Sequence, residues 1–259
     1  MSGSDVQLVQ SLSRGLAVIR AFDGQRPRQT LAQVAEATGL PRATARRFLH
    51  TLVAEGYAAS DGTVFWLTPK TLELGYSYLS SLGLPTIAQP HLDALSRSLN
   101  ESSSVTVLDG ADVVYVARAA ANRIMSVNIT IGTRFPAYAT AMGRVLLAGL
   151  PPGELDSYLA ATTLEPITPE TVTSEDAFRQ VLDDVQRQGY SIVDQELEMG
   201  LRSVACPVRD RSGATVAAVN VSAHAGAVGC REVVDKLLPP LQATARAVER
   251  DLQTTNLKE

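Results

Sequence analysis

Between Leu40 and Gly56 the chain reads LPRATARRFLHTLVAEG, and Arg42, Thr44, Arg46 and Arg47 fall within six residues of it. These side chains are suited to reading and gripping nucleic acid. Arginine bonds guanine through two parallel N–H groups, and threonine bonds bases or packs on a thymine methyl. Guanidinium groups also neutralise phosphates, and the free backbone N–H groups of a helix start can take one. Arg42, Thr44 and Arg46 are therefore base-or-phosphate candidates, Arg47 is a phosphate candidate, and Thr63, in a later turn, is a further contact candidate. The competing reading is a solvated arginine face on an ordinary helical pair.

A second grouping, TRFPAYATAMGR, mixes groups that hold a small carboxylate. Such ligands use Arg, hydroxyls or backbone N–H groups within a mostly apolar pocket. Arg134 precedes a Pro-containing loop and Tyr138 follows it; Ala141, Met142 and Gly143 open a helix. Arg134 reads equally as a carboxylate clamp or as a surface or interface salt bridge. Arg144, one helical turn beyond Thr140, reads as structural support. Glu196 and Glu198 alternate along an extended run and read as solvated or turn-stabilising carboxylates. Asn128, Asn220 and Ser222 are pocket candidates on strands whose faces the sequence does not assign.

Catalytic and metal signatures are absent. There is no G-x-S-x-G elbow, G-x-G-x-x-G loop, Walker A or H-E-x-x-H segment. His50, His91 and His224 are scattered without partners at metal spacing, so no metal and no cofactor are expected. Cys206 and Cys230 lack the paired spacing of zinc or redox motifs and read as reduced structural residues. Catalysis by residues that meet only in space stands as an alternative behind ligand sensing.

The elements that position these groups follow from periodicity. VQSLSRGLAVIRAF puts Val9, Leu12, Leu16, Ile19 and Phe22 on one face of a helix. Thr30, with Gln33 three residues on, forms a capping-box signature for a helix burying Leu31, Val34 and Ala35, which Gly39 stops. Pro41 starts a third helix with Ala45, Phe48, Leu49 and Leu52 inward and the arginines outward. YAAS and TVFWLT, joined through Asp61-Gly62, then read as a hairpin in the wing position. A connecting helix runs from about Pro69 to a break at Gly83 and Pro85, partly exposed or packed on another copy.

Beyond it come a helix at 86–99, strands near 104–108, 112–118 and 124–130, and helices near 139–149, 153–160 and 174–188. Strands near 190–194, 203–209 and 214–222 and a C-terminal helix from about Cys230 complete the chain. Hairpin-type connections such as DGAD and DRSGA imply a mainly antiparallel sheet with helices packed on it, an α+β fold. The expected domains are 1–68, 69–88 as the linker helix, and 89–259.

The whole chain of 259 residues has a net charge of −4, yet residues 1–82 carry eight Lys and Arg against six Asp and Glu, and the remainder 15 against 21. The basic excess thus sits with the arginine helix. No apolar stretch approaches the roughly 20 residues that span a bilayer, and no basic and apolar leader opens the chain, so a cytoplasmic protein without membrane partners is expected.

SLSRGLAVIRAF, TLAQVAEATGLPRATARRFLHTLVAEGY and DQELEMGLRSVACPVRD resemble the three landmark segments of the IclR family of bacterial transcription regulators. NRIMSVNITIGTRFPAYATAMGRVLLAGL resembles in particular the Pca and Pob type branch, which controls the β-ketoadipate pathway of aromatic catabolism. The resemblance implies an N-terminal winged helix-turn-helix, a linker helix and a C-terminal GAF-like effector-binding domain, acting as a homodimer or dimer of dimers on operator DNA. Carried over by position, it implies backbone contacts from Ala141, Met142 and Gly143, Leu201 as a pocket wall and Ser203 as a hydroxyl donor. One departure is Val193, where the family often has an acidic residue; Asp194 is then the candidate to supply the missing polar contact.

The expected function is a ligand-responsive regulator sensing protocatechuate, 4-hydroxybenzoate or β-ketoadipate, with a regulator of another small-acid pathway as the alternative. An architectural DNA-binding protein without ligand control is disfavoured by the two thirds of the chain lying beyond the basic segment.

Overall fold

The computed structural model describes residues 8–75, 83–121 and 129–255. The chain forms two compact units, Met1–Ser81 and Leu82–Glu259.

The first unit is three helices and a small sheet. α1 (Gln10–Arg20), α2 (Leu31–Thr38) and α3 (Arg42–Ala54) surround a core of Val18, Val34, Leu49 and Phe65. The capping box forms as the sequence predicts. The Thr30 hydroxyl accepts from the Gln33 amide, and the Gln33 side chain accepts from the Thr30 amide at 2.8 Å. Gly39 ends α2 at φ 66°, a left-handed conformation that costs glycine nothing. The sheet has the order β1-β3-β2, from β1 (Gln29–Thr30), β2 (Ala58–Ser60) and β3 (Val64–Leu67). The two-residue β1 has no signal in the sequence; it exists because β3 offers it a free edge.

α1 forms where expected but buries less than expected. Val9, Leu12 and Leu16 are 64%, 64% and 45% exposed, and the face they share with Ile19 is largely uncovered within this unit. Val18 alone on the helix is fully buried. Of the connecting helix, the 3₁₀ turn Pro69–Thr71 and the exposed Leu72 and Leu74 are seen; its continuation through Tyr76 and Leu79 lies outside the described residues.

The second unit is a six-stranded sheet of order β6-β5-β4-β9-β8-β7, with every pair antiparallel. Its strands are β4 (Ser102–Asp109), β5 (Asp112–Ala119), β6 (Arg134–Pro136), β7 (Ser191–Asp194), β8 (Leu201–Arg209) and β9 (Thr215–His224). The expected strand near 124–130 lies largely outside the described residues, as does Asn128.

One face of the sheet packs on α4 (Leu84–Leu99) and the C-terminal helix α8 (Leu238–Thr255). The other packs on α5 (Ala141–Ala148), which in turn packs on α7 (Glu175–Gln188); α6 (Pro152–Ala161) adds Tyr158 and Leu159 to the same core. The C-terminal helix does not run unbroken from Cys230. A π-turn occupies Val233–Leu237, because Pro239 and Pro240 have no N–H to give the carbonyls four residues back.

Candidate functional site

In the first unit the structure leaves the arginine face of α3 open. Arg42, Arg46, Arg47 and His50 are exposed, Thr44 is half-buried, and Ala45 and Leu49 point into the core. Among the described residues, no carboxylate pairs with Arg42, Arg46 or Arg47, whereas Arg26 and Arg28 of the same unit are paired with Asp23 and Asp61. Three unpaired guanidiniums along one helix face form a positive surface that phosphates can neutralise.

The wing is braced. Asp61 Oδ1 accepts from the amides of Thr63 and Val64, each at 3.0 Å, and its Oδ2 accepts from Arg28 at 2.9 Å. The Arg28 guanidinium lies 4.0 Å from the centre of the Trp66 ring. Thr63 is exposed at the tip.

In the second unit a cavity lies between the sheet and the start of α5. Tyr115, Ser203, Asn220 and Ser222 form its sheet side; Thr140, Ala141 and Met142 form its helix side. Val193, Leu197 and Leu201 close a third side. Its free volume is about 20 Å³, room for one water molecule. A dry cavity that takes benzene measures about 150 Å³, so an aromatic ligand enters only if side chains such as Met142 and Leu197 give way.

The polar floor is wired together yet incomplete. Asn220 Nδ2 donates to Ser203 Oγ at 3.0 Å and to Ser222 Oγ at 2.9 Å, and Ser203 also donates to the Val221 carbonyl. Among the described residues, Asn220 Oδ1 has no hydrogen-bond partner, although the residue is only 2% exposed. A buried amide oxygen left unpaired costs free energy that a ligand donor would recover. On the opposite side the Thr140 hydroxyl accepts from the Gly143 amide at 3.0 Å. Among the described residues, that leaves the amides of Ala141 and Met142 as the donors of the helix start without a partner.

Not every residue singled out in the sequence reaches the cavity. Ala141, Met142, Leu201 and Ser203 line it. Gly143 serves packing instead, because a Cβ there would stand 2.0 Å from the Ala137 carbonyl oxygen. Tyr138 is buried in the core, its hydroxyl donating to the Glu165 carbonyl. Arg134 lies on the edge strand β6 and donates to Asp109 at 2.6 Å and Asp112 at 3.1 Å, so the salt-bridge alternative for it holds.

Asp194 does not substitute for the acid missing at Val193. Successive side chains point to opposite faces of a strand, so Val193 faces the cavity and Asp194 faces away. There Asp194 accepts two bonds from Arg202, at 3.0 and 2.7 Å, which hold its carboxyl below the ordinary range. Arg202 also donates to the carbonyls of Ala225 and Val228.

Glu196 corrects the expectation of a solvated carboxylate. It is buried, bonded to Arg144 at 2.5 Å, and accepts from the Val172 amide at 3.0 Å. Arg144 donates in addition to the Tyr138 carbonyl, which is the support role read for it. The pair ties α5 to the 195–200 loop on either side of the cavity.

Among the described residues, no group of three or more His, Cys, Asp and Glu could hold a metal, and no helix is long and apolar enough to cross a membrane. His91 bonds Asp251 and His224 accepts from the Gly226 amide. Both cysteines are free, and burial pushes the Cys206 thiol up to about 12.

Residues 11–62 match the IclR helix-turn-helix domain and residues 76–250 the bacterial transcriptional regulator IclR C-terminal domain. The chain belongs to the IclR family. As an IclR protein it is a transcriptional regulator with a DNA-binding helix-turn-helix, and not an enzyme. The Pca regulon regulatory protein of Pseudomonas putida is 45% identical to it over 93% of this chain and 84% of that one. The crystal structure of a transcriptional regulator from Rhodococcus sp. RHA1 superposes with a TM-score of 0.87 at 57% identity, covering 96% of this chain and all of that one. An IclR homologue of Microbacterium hydrocarbonoxydans, complexed with 4-hydroxybenzoate, superposes with a TM-score of 0.83 at 25% identity, covering 93% and 98%.

Of the cavity's lining, sequence reasoning missed Tyr115, Ile129, Ala139, Thr140 and Leu197, and it noted Val193 only as a departure from the family pattern. The alternation of β7 carries a signal for Val193, given which face is the cavity. Tyr115 and Leu197 have none without the sheet.

Proposed function

We propose that this IclR regulator senses a small aromatic acid in its second unit and converts its binding into a change in operator occupancy. 4-Hydroxybenzoate and protocatechuate are the first candidates; β-ketoadipate is the non-aromatic one. The observation that carries this reading is the Asn220 amide oxygen, without a partner among the described residues, on the small polar floor of a mostly apolar cavity beside the start of α5. A phenolic hydroxyl supplies the donor Asn220 lacks, and the apolar walls suit a ring. The resemblance to a Pca regulon regulator and to a homologue holding 4-hydroxybenzoate supports the same ligand class.

Residues 1–68 then form the DNA-binding domain, 69–88 the linker and 89–259 the effector domain. Arg42, Thr44 and Arg46 meet bases or phosphates, Arg47 a phosphate, and Thr63 the backbone beside the wing. The protein acts in the cytoplasm as a dimer or dimer of dimers, a reading the uncovered apolar face of α1 supports.

The test is a thermal-shift titration with the three acids against pyruvate and benzoate, followed by gel shift on upstream DNA with the best ligand. A ligand at 100 times its Kd stabilises the native state by about 2.7 kcal/mol. One acid raising the melting temperature and altering the DNA complex supports the reading. No shift with any of the three withdraws the aromatic-catabolism assignment.

A further inference from the structure

β5 carries an arginine that the pattern of its own strand would send to the wrong face. In strict alternation Tyr115 and Arg118 lie on opposite sides of the sheet. The register instead pairs Val105 with Ala117 and Thr106 with Tyr115, leaving Val116 as an extra, unpaired residue. This bulge turns Arg118 onto the face of Tyr115, and bulges are devices that re-aim side chains.

That face is the cavity face. Arg118 sits opposite Ser104, and Ser104 opposite Asn220, in one lateral row across three strands. Arg118 Nη1 donates to Ser104 Oγ at 3.2 Å, which puts the guanidinium over the strand next to Asn220, about 5 Å from it in strand spacing.

The guanidinium there is poorly satisfied. It is half-buried, and among the described residues no carboxylate pairs with it. Among the described residues, one of its five N–H donors has an acceptor, the neutral Ser104 hydroxyl. Burial lowers its affinity for its proton, and its charge is felt by the buried Tyr115 hydroxyl, whose own pKa burial raises. Arg118 does not itself line the cavity, but it shares the sheet face of Tyr115 and Asn220, which do, and among the described residues the lining carries no charged side chain. A positive charge drawn partly out of water at that place has the environment of a site awaiting an anion.

We propose that Arg118 anchors the carboxylate of the effector, meeting it with two parallel N–H bonds beside Ser104 and Tyr115. The assignment rests on the aromatic-acid reading above and adds to it the residue that makes an acid preferable to a neutral ring. It also gives Arg118 the clamp role that Arg134 does not fill.

Isothermal titration of the full-length protein with 4-hydroxybenzoate and its neutral counterpart 4-hydroxybenzamide separates the two ideas. The wild type should prefer the acid by at least tenfold, as charge-assisted bonds to a guanidinium imply. Arg118→Gln should lose roughly 10- to 100-fold of its affinity for the acid and little for the amide, bringing their ratio to about one. Arg118→Lys, which keeps the charge without the fork, should fall between them and carries the test if the Gln variant does not fold. Ligand-free operator binding should match the wild type in both variants.

An acid-to-amide ratio in Arg118→Gln equal to that of the wild type overturns the anchor while leaving the effector reading standing. A wild type that binds the acid no better than pyruvate overturns both.

Discussion

The Arg144–Glu196 pair is the most exacting place to test this account of the second unit, because its energetics follow from burial alone. The two side chains are 3% and 9% exposed and meet at 2.5 Å. Glu196→Gln keeps the shape and removes the charge. Arg144 then retains its bond to the Tyr138 carbonyl but loses its counter-charge in a medium that solvates it poorly. Removing one partner of such a pair costs about 3–5 kcal/mol. The Gln carbonyl can still accept from Arg144 or from the Val172 amide, so the lower end, about 3 kcal/mol, applies. At about 2–4 °C per kcal/mol for a unit of this size, the melting temperature should fall by roughly 6–12 °C.

Calorimetry of the ligand-free protein measures the transition, and fluorescence of Trp66, the single tryptophan, follows the winged-helix unit separately. The double variant Arg144→Met with Glu196→Leu should recover part of the loss, since it buries no charge but takes these partners from the Tyr138 carbonyl and the Val172 amide. A shift under about 2 °C for Glu196→Gln, or a double variant no better than the single one, would refute the reasoning. Because the pair holds α5 and the 195–200 loop on either side of the cavity, Glu196→Gln should also weaken effector binding.

Gly143→Ala drives a methyl to 2.0 Å from the Ala137 carbonyl, so the second unit should lose its cooperative thermal transition; a wild-type melting curve would contradict that packing. Arg46→Ala should weaken operator binding roughly 10- to 100-fold if it reads a base, or lower the salt slope by about one if it meets only a phosphate. Unchanged affinity and slope in a gel shift across salt concentrations would remove it from the interface. Asp194 is held below the ordinary value of 3.8 by Arg202, so it contributes stability above that value that is lost as pH falls through its folded-state value. Asp194→Asn should therefore melt lower than wild type at neutral pH, with the gap closing below pH 3.8; a pH-independent gap would mean the carboxylate's charge is not what stabilises.

Local rules carried the sequence a long way in the first unit. A capping box, a glycine that tolerates positive φ and a hairpin dipeptide act within a few residues of themselves, so Thr30, Gly39 and Asp61-Gly62 announce their elements directly. The arginines of α3 are equally readable, because helical periodicity separates them from Ala45 and Leu49 without reference to any other part of the chain. What periodicity cannot say is whether an apolar face has something to cover it, and Val9, Leu12 and Leu16 on α1 show the gap.

In the second unit the sequence determined that strands and helices alternate with hairpin connections, and hence that an antiparallel sheet is covered by helices. Only the tertiary structure decided which side of the sheet each residue serves. Period-two alternation assigns faces relative to one another, and a single register shift reverses everything beyond it. Val193 and Asp194 differ by one position, and one faces the cavity while the other meets Arg202. The bulge at Val116 brings Tyr115 and Arg118 to the same face against the alternation. Glu196 reads as a surface acid until Arg144, 52 residues earlier in the chain, is folded against it. Such assignments depend on pairings between distant segments, and no spacing within either segment contains them.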